Sequence, residues 1–413
     1  MSENRLIKFI LGLIPLFWVI NIASLGAQNF SSNLLGYKLI REYNIQQLNG
    51  IFNCQNLDIL AVPLRELAKS MPPAENKVKT YLVYYLTTNY DGMPVKASGL
   101  LAIPSPVKTS CPVLSYQHDT ILDSKKCPSY PADCLEAQGI ISIFAAHGYV
   151  VLAPDYIGQG HCRQFHPYLV AENEAVASVD MLQASRVLCR KLGVNLNEKL
   201  FITGYAQGGQ ATLALQKLLE TDFPDLKITA SAPLEGPYDL TRLWQDWIKT
   251  PDPLTGILAA RMITAYKRVY RFPDTQEQIF RPEYLSKLKL LEGKFSENAV
   301  IKAFPGDLHD LLTTDFLNRV NSGRHPFYEA MVKNQTADFA PSSPTALIHS
   351  PGDTLFPYDL AQSAYDKMIK LGADDLNLIQ LGKSLEHRQA CLVAIYRARL
   401  YFDGFSRVSF YEK

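Results

Sequence analysis

Apolar and polar positions divide the chain into stretches of different rhythm. Residues 28–76 are mixed and end in Pro72-Pro73, which reads as a wrapping segment without a clear element. From residue 78 the pattern sharpens. VKTYLVYYLTTN (78–89) is rich in β-branched and aromatic residues, Tyr90-Asp91-Gly92 signals a turn, and PVKASGLLAIP (94–104) follows, so the pair is expected to form a hairpin. PVLSYQ (112–117), YVVLAPDY (149–156), KLFIT (199–203) and KITASAPLEG (227–236) are short, nearly continuous apolar runs. Between them, 135–148, 172–193 and 210–220 carry helical spacing. Strands buried on both faces and alternating with helices predict a mostly parallel sheet with helices on both faces. Residues 237–340 break this rhythm. They are helical in places, rich in Tyr, Phe and Pro, and contain no clear parallel strand, which reads as a mainly helical cap inserted over the strand ends. The rhythm returns with TALIHS (345–350), a helix near 358–371, LNLIQL (376–381) and a last helix near 388–402. The expected organisation is therefore a leader (1–27), a first part of the α/β core (28–236), the insertion (237–340) and a second part of the core (341–413).

The leader changes the picture of where the chain resides. Arg5 and Lys8 precede an apolar run from Phe9 to Ala27 that closes in small residues before Gln28-Asn29. A basic start, an apolar centre and a small-residue end are the marks of a secretory signal peptide. At about 20 residues the run is also long enough for an uncleaved membrane anchor. Secreted or periplasmic is the first expectation and membrane-anchored the alternative. The whole chain carries 41 basic and 40 acidic residues, a net charge of +1, which offers no electrostatic reason for a nucleic-acid partner. There are seven cysteines. Cys127 and Cys134, flanking a short polar turn, are the best local candidates for a disulfide in an oxidising compartment, and an odd count leaves one thiol over. None has metal-ligand spacing.

The candidate chemistry centres on ITGYAQGGQ (202–210). It lies between a strand and a helix, the context of the sharp turn G-x-S-x-G that presents a nucleophilic serine. With Gly204 and Gly208 as the two glycines, the nucleophile position is 206, and residue 206 is alanine. Asp353, in HSPGDTLFPY (349–358), falls just past the strand 345–350, where a catalytic acid would stand. His387, in LGKSLEHRQAC (381–391), falls in the loop after strand 376–381 and before the last helix, where the base would stand. The order nucleophile, acid, base is that of an α/β-hydrolase triad. The loop after strand 112–117 reads His118-Asp119-Thr120 where such folds often carry His-Gly. A backbone N–H of Asp119 or Thr120, with that of Gln207, would supply the oxyanion hole.

Taken together, SYQHDT (115–120), LAPDYIGQG (152–160), GYAQGG (204–209), EGPYDL (235–240) and PGDTLFP (351–357) resemble the secretory lipase family of α/β hydrolases, the lipase A type, over about residues 75–405. The resemblance implies an α/β-hydrolase fold and the hydrolysis of carboxylic esters, often acylglycerols, beneath a helical cap. It places the acid and base on Asp353 and His387 and an oxyanion-hole aspartate on Asp119. The departure is Ala206. Alanine has no oxygen and forms no acyl-enzyme. Serine hydrolases that lose a triad member retain only about 10³–10⁴-fold catalysis over water. Three readings follow: an ester hydrolase disabled by Ala206, whether by a recent single change or a natural loss; a non-catalytic ester- or lipid-binding pseudoenzyme using the same cleft; and a residual hydrolase in which His387 activates water. The expected partner is a small-molecule or lipid ester, with transient lipid-surface contact through the cap, and the mechanism requires no metal or organic cofactor. Trp244, Trp247, Tyr266, Tyr270 and Phe280 could line an acyl tunnel or form the insertion's own core. His166 is expected to anchor the loop after Gly160.

Overall fold

The computed structural model describes residues 33–51, 67, 69–107, 110–293 and 295–406. The leader and Cys54 lie outside the described residues.

Among the described residues nine strands form one sheet in the order β1-β2-β3-β5-β4-β6-β7-β8-β9. β1 (Leu34–Tyr43), β2 (Lys77–Thr88) and β3 (Pro94–Ser105) are antiparallel neighbours, and β3 pairs antiparallel with β5 (Val150–Pro154). From β5 through β4 (Cys111–Gln117), β6 (Leu196–Tyr205), β7 (Ile228–Leu234), β8 (Thr345–His349) and β9 (Leu376–Gln380) every pairing is parallel. The β2–β3 hairpin turns at Asn89–Met93, where Gly92 supplies the positive φ of 78° and donates its N–H to Asn89 O.

The apolar runs read in the sequence follow from the two faces of this sheet. Along β4, β5 and β6, successive residues alternate between two packed layers. Leu114, Val151, Ala153 and Phe201 face the layer that holds helix α1 (Leu135–Ile143) and helix α5 (His387–Ser406). Val113, Val150, Leu152, Leu200 and Ile202 face the layer of α2 (Ala171–Lys191) and α3 (Gln207–Asp222). Helix α4 (Tyr358–Lys370) packs on Leu213 of α3 and Leu347 of β8. Each fully buried aliphatic side chain contributes roughly 1.5–3 kcal/mol, so the double-sided strands carry most of the driving force.

Two expectations need correction. The segment 28–76 holds an edge strand, β1, rather than only a wrapping coil. Its residues are exposed on both faces along most of its length, so burial imposed no alternation for a sequence reading to find. The expected Cys127–Cys134 disulfide does not form. All six described cysteines are free thiols, and the Cys134 sulfur instead accepts the Ala137 N–H at the start of α1.

Among the described residues between β7 and β8 the chain runs through eight α-helices and one 3-10 helix, the longest being Leu240–Lys249 and Thr255–Tyr270. The Asp239 carboxylate accepts the N–H groups of Thr241 and Arg242 and so starts the first of them. Trp244, Trp247, Tyr266 and Phe280 are fully buried here. Trp244 and Tyr266 pack on Phe327 at 5.3 and 5.8 Å, and the Trp247 indole N–H donates to Leu355 O at 3.0 Å. Tyr270 is half-buried against Tyr266. The aromatics of this segment pack on one another and, through Trp247 and Tyr266, on the α/β core, in one continuous buried cluster.

Candidate functional site

β6 ends at Tyr205 and α3 begins at Gln207. The single residue between them, Ala206, is fully buried and has φ 54° and ψ −113°. That conformation costs a non-glycine residue about 1–3 kcal/mol and recurs where a turn must present one side chain. The turn is tight because two glycines let it lie against the end of β4. A Cβ at Gly204 would stand 2.4 Å from Gln117 O, and one at Gly208 only 1.9 Å from the same oxygen. Ala206 N–H donates to Leu234 O, tying the turn to β7. The Gln207 N–H belongs to the first turn of α3, whose donors have no carbonyl within the helix.

Asp353 follows β8, and His387 is the first residue of α5 rather than a loop residue before it. The two side chains meet: His387 Nδ1 and Asp353 Oδ2 are 2.6 Å apart, both buried. The other carboxylate oxygen, Oδ1, accepts the N–H groups of Leu355 and Phe356, each at 2.9 Å. Burial by itself would lower the His387 pKa, but the Asp353 charge and hydrogen bond outweigh it and hold the pKa above 6.5. Burial by itself would raise Asp353, and the adjacent imidazole reverses that, so its pKa falls below the usual value. Tyr205, next to Ala206, donates its hydroxyl to the His387 carbonyl and packs its ring 5.2 Å from the imidazole. This contact joins the strand-to-helix turn to the start of α5.

A cavity of about 50 Å³ opens beside His387, lined by Asp119, Thr120, Leu254, Leu258, Phe356 and the imidazole itself, among others. It brings Asp119 and His387 to one space. The two backbone donors expected there are both engaged, one by α1 and one within the loop. Asp119 N–H donates to the Glu136 carboxyl at 3.1 Å, and Thr120 N–H donates to Asp119 Oδ1. Burial raises the Asp119 pKa, against the lowering effect of His387, and burial with the nearby Asp119 charge raises Glu136 further. At the mouth of the cavity Glu297, on the helix Glu297–Ile301, pairs with Arg388 of α5 and with Lys126 at 3.0 Å.

The Gln207 side chain turns away from this space. Its amide N–H groups donate to Glu174 Oε1 at 2.6 Å and lie 3.3 Å from His166 Nε2. His166 Nδ1 is bonded to Ile157 O at 2.8 Å, which fastens the loop around Gly160.

With this geometry in view, the comparisons with known proteins can be placed. The family model of the secretory lipases matches residues 135–395, the span from α1 to α5. The chain belongs to the secretory lipase family. Among individual members, it is 23% identical over 259 residues to a secreted triacylglycerol lipase, LIP2, of Malassezia globosa. That match covers 57% of this chain and 51% of the relative, so the chain spans about half the length of the curated relative it matches. In three dimensions it resembles a crystal structure of a Legionella pneumophila protein, with 25% identity and a TM-score of 0.83 over 92% of this chain and 100% of that one. The rice cell wall degrading esterase LipA from Xanthomonas oryzae superposes with a TM-score of 0.79 at 23% identity, covering 90% and 97% of the two chains. Candida antarctica lipase A in its closed state gives 0.66 at 17% identity, covering 91% and 83%. These likenesses establish the α/β-hydrolase fold of this member of the family.

Several residues at the candidate site escaped the sequence reading. Glu235 and Glu136 are distant in sequence from Asp353 and His387 and reach them because β7 ends and α1 begins at one edge of the sheet, whereas His349 ends β8 only four residues before Asp353. Glu235 had a signal, since it heads the EGPYDL stretch at the carboxyl end of a strand, but no motif spacing gives it a role. Glu235, Asp353 and His387 place potential ligand atoms within 4.8 Å of one another, which suits a metal ion in distance. An ion there would have to displace the proton shared by His387 and Asp353, so the hydrogen-bonded triad is the simpler use of the same atoms.

Proposed function

We propose that this chain is a secreted carboxylic ester hydrolase scaffold of the Ser-Asp-His type in which Ala206 occupies the nucleophile position, leaving it nearly inactive. The observation that carries the reading is the buried 2.6 Å His387–Asp353 hydrogen bond beside a turn that still holds residue 206 at positive φ. With serine at 206, His387 Nε2 would take the hydroxyl proton as the oxygen attacks an ester carbonyl, and Asp353 would hold the imidazole and stabilise its charge. The oxyanion would be met by the Gln207 N–H and by Asp119. Because the Asp119 backbone N–H is occupied, its contribution is assigned to the carboxyl group, whose raised pKa favours the protonated, donating form. The leader and the likeness to a secreted lipase support export. Among the described residues no helix is long and apolar enough to cross a membrane. The helical insertion serves as the cap. The cavity of about 50 Å³ is large enough for a few water molecules and too small for a long acyl chain, so a lipid ester enters only when the insertion moves.

The test is hydrolysis of p-nitrophenyl esters of graded acyl length by this protein and by its Ala206→Ser variant. The variant is expected to gain about a thousandfold or more. Its rate should rise with pH through a midpoint above 6.5, because the base works only when His387 is neutral and its pKa is raised. A variant as inactive as the parent, yet still binding ester analogues, would instead support a non-catalytic ester- or lipid-binding protein.

A further inference from the structure

We propose that Glu235 is a positioning residue for Asp353, a neutral carboxylic acid whose O–H is donated to the Asp353 carboxylate and completes its hydrogen bonding. The inference deepens the proposed function and rests on its assignment of Asp353 as the acid.

Asp353 Oδ1 accepts two backbone N–H groups, and Oδ2 accepts the His387 Nδ1–H. An ionised carboxylate offers about four acceptor sites, so one remains on Oδ2. Glu235 stands beside it at the end of β7, fully buried, with one carboxyl oxygen inside the 4.8 Å cluster it shares with Asp353 and His387. Glu235 Oε1 accepts the Ser350 N–H at 2.8 Å. Glu235 Oε2 has no donor. The nearest candidate is His349 Nε2 at 3.1 Å, but that nitrogen's hydrogen is directed at Phe356 O, 2.7 Å away. An acceptor oxygen without a donor, buried next to a carboxylate, is unstable as an anion and stable as an O–H.

The neighbours agree with a proton on Glu235. His349 faces it from β8 and is neutral, its pKa lowered to about 4 by burial. Tyr205 on β6 and Tyr238 after β7 are fully buried with pKa values raised by burial, so neither brings a charge. The charged groups facing Glu235 are Asp353 and, when protonated, His387. Burial, and then the Asp353 charge, raise the Glu235 pKa well above the ordinary range. The backbone at Glu235 has φ 49°, a conformation that a side chain disfavours and glycine would adopt freely. A strained glutamate here is consistent with use of its side chain.

A neutral donor has a specific consequence. It stabilises the Asp353 charge without adding a second negative charge beside His387. Two carboxylates would push the imidazole pKa further up and leave the base protonated at neutral pH.

The experiment uses Glu235→Gln and Glu235→Leu, each read two ways. In the protein as it stands, the His387 imidazole is titrated by NMR. Glu235→Gln keeps an N–H for Asp353 and an oxygen for Ser350, and should leave the His387 midpoint within about half a unit. Glu235→Leu should move it upward, because a carboxylate that has lost a donor is more basic. In the Ala206→Ser background, Glu235→Gln should keep kcat and its pH profile. Glu235→Leu should lose about tenfold in kcat with KM unchanged. A fall of one unit or more in the His387 midpoint in Glu235→Gln would show that Glu235 is ionised and overturn the proposal. A Glu235→Leu protein that matches its parent in both readouts overturns it as well. If Glu235→Leu does not fold, the Glu235→Gln titration still decides. The NMR readout needs no hydrolysis, so an inactive Ala206→Ser protein would count against the proposed function and leave this test standing.

Discussion

At residue 206, an alanine occupies a backbone conformation that costs about 1–3 kcal/mol and that its own side chain does not use for chemistry. On the proposed reading, the turn keeps its geometry without the group it would present. His387 and Asp353 form a buried hydrogen-bonded pair, and linkage makes that pair testable in stability. The folded pKa of His387 is raised, so its contribution is full below the unfolded value of about 6.5 and is lost as pH rises through the folded pKa. The folded pKa of Asp353 is lowered, so its contribution is present above about 3.9 and is lost as pH falls through the folded pKa. Both conditions are met between about pH 4 and 6.5. Asp353→Asn should therefore destabilise most near pH 5, by roughly 3–5 kcal/mol in urea unfolding, and distinctly less at pH 9. An equal loss at both pH values would mean that the pair is not charged in the folded protein. Ala206, Asp353, His387, Asp119 and Gln207 were all legible as candidates because motif order and strand ends place them. The proton on Glu235 and the engagement of the Asp119 N–H were not, since each depends on a neighbour from another part of the chain.

At the scale of elements, the joint between β6 and α3 is the least tolerant. Gly208 lies so close to Gln117 O that an added methyl would overlap it at 1.9 Å, and the obstacle is backbone. Gly208→Ala is expected to cost more than about 4 kcal/mol or to yield no soluble folded protein, read by circular dichroism and thermal unfolding. A variant with near-parental stability would show that the turn can shift away from β4. The same contact fixes the loop 118–120 relative to residue 206. The central strands were readable because both faces are buried and most of their buried positions are apolar. β1 was not, because an edge strand exposed on both faces has no such pattern. Cys127 and Cys134 are near in sequence, but the start of α1 commits Cys134 to its own N-terminal N–H groups.

At the scale of the whole molecule, the helical insertion is tied to the core at the cavity mouth through Glu297, which bonds Lys126 and Arg388. Both cations are well exposed, so the pairs contribute little to global stability, up to about 1 kcal/mol. Their effect should be on entry. In the Ala206→Ser background, Glu297→Gln is expected to speed hydrolysis of long acyl esters up to about fivefold at low salt, with acetate esters little changed and the gain fading as salt rises. Equal rates for all chain lengths would mean that these pairs do not hold the entrance.

The amino-acid sequence by itself determined the α/β alternation, the long helical stretch between β7 and β8, and the glycine-framed strand-to-helix turn with alanine at 206. These are local properties: periodicity, glycine placement and residue identity. Tertiary structure alone decided that Asp353 and His387 meet, that the insertion's aromatics are buried, that the described thiols stay apart, that the Asp119 N–H is spent on Glu136, and that Glu235 lies near Asp353. Those outcomes follow from low-dielectric burial and from which donors remain unspent once nine strands converge, and neither is written in any single stretch of chain.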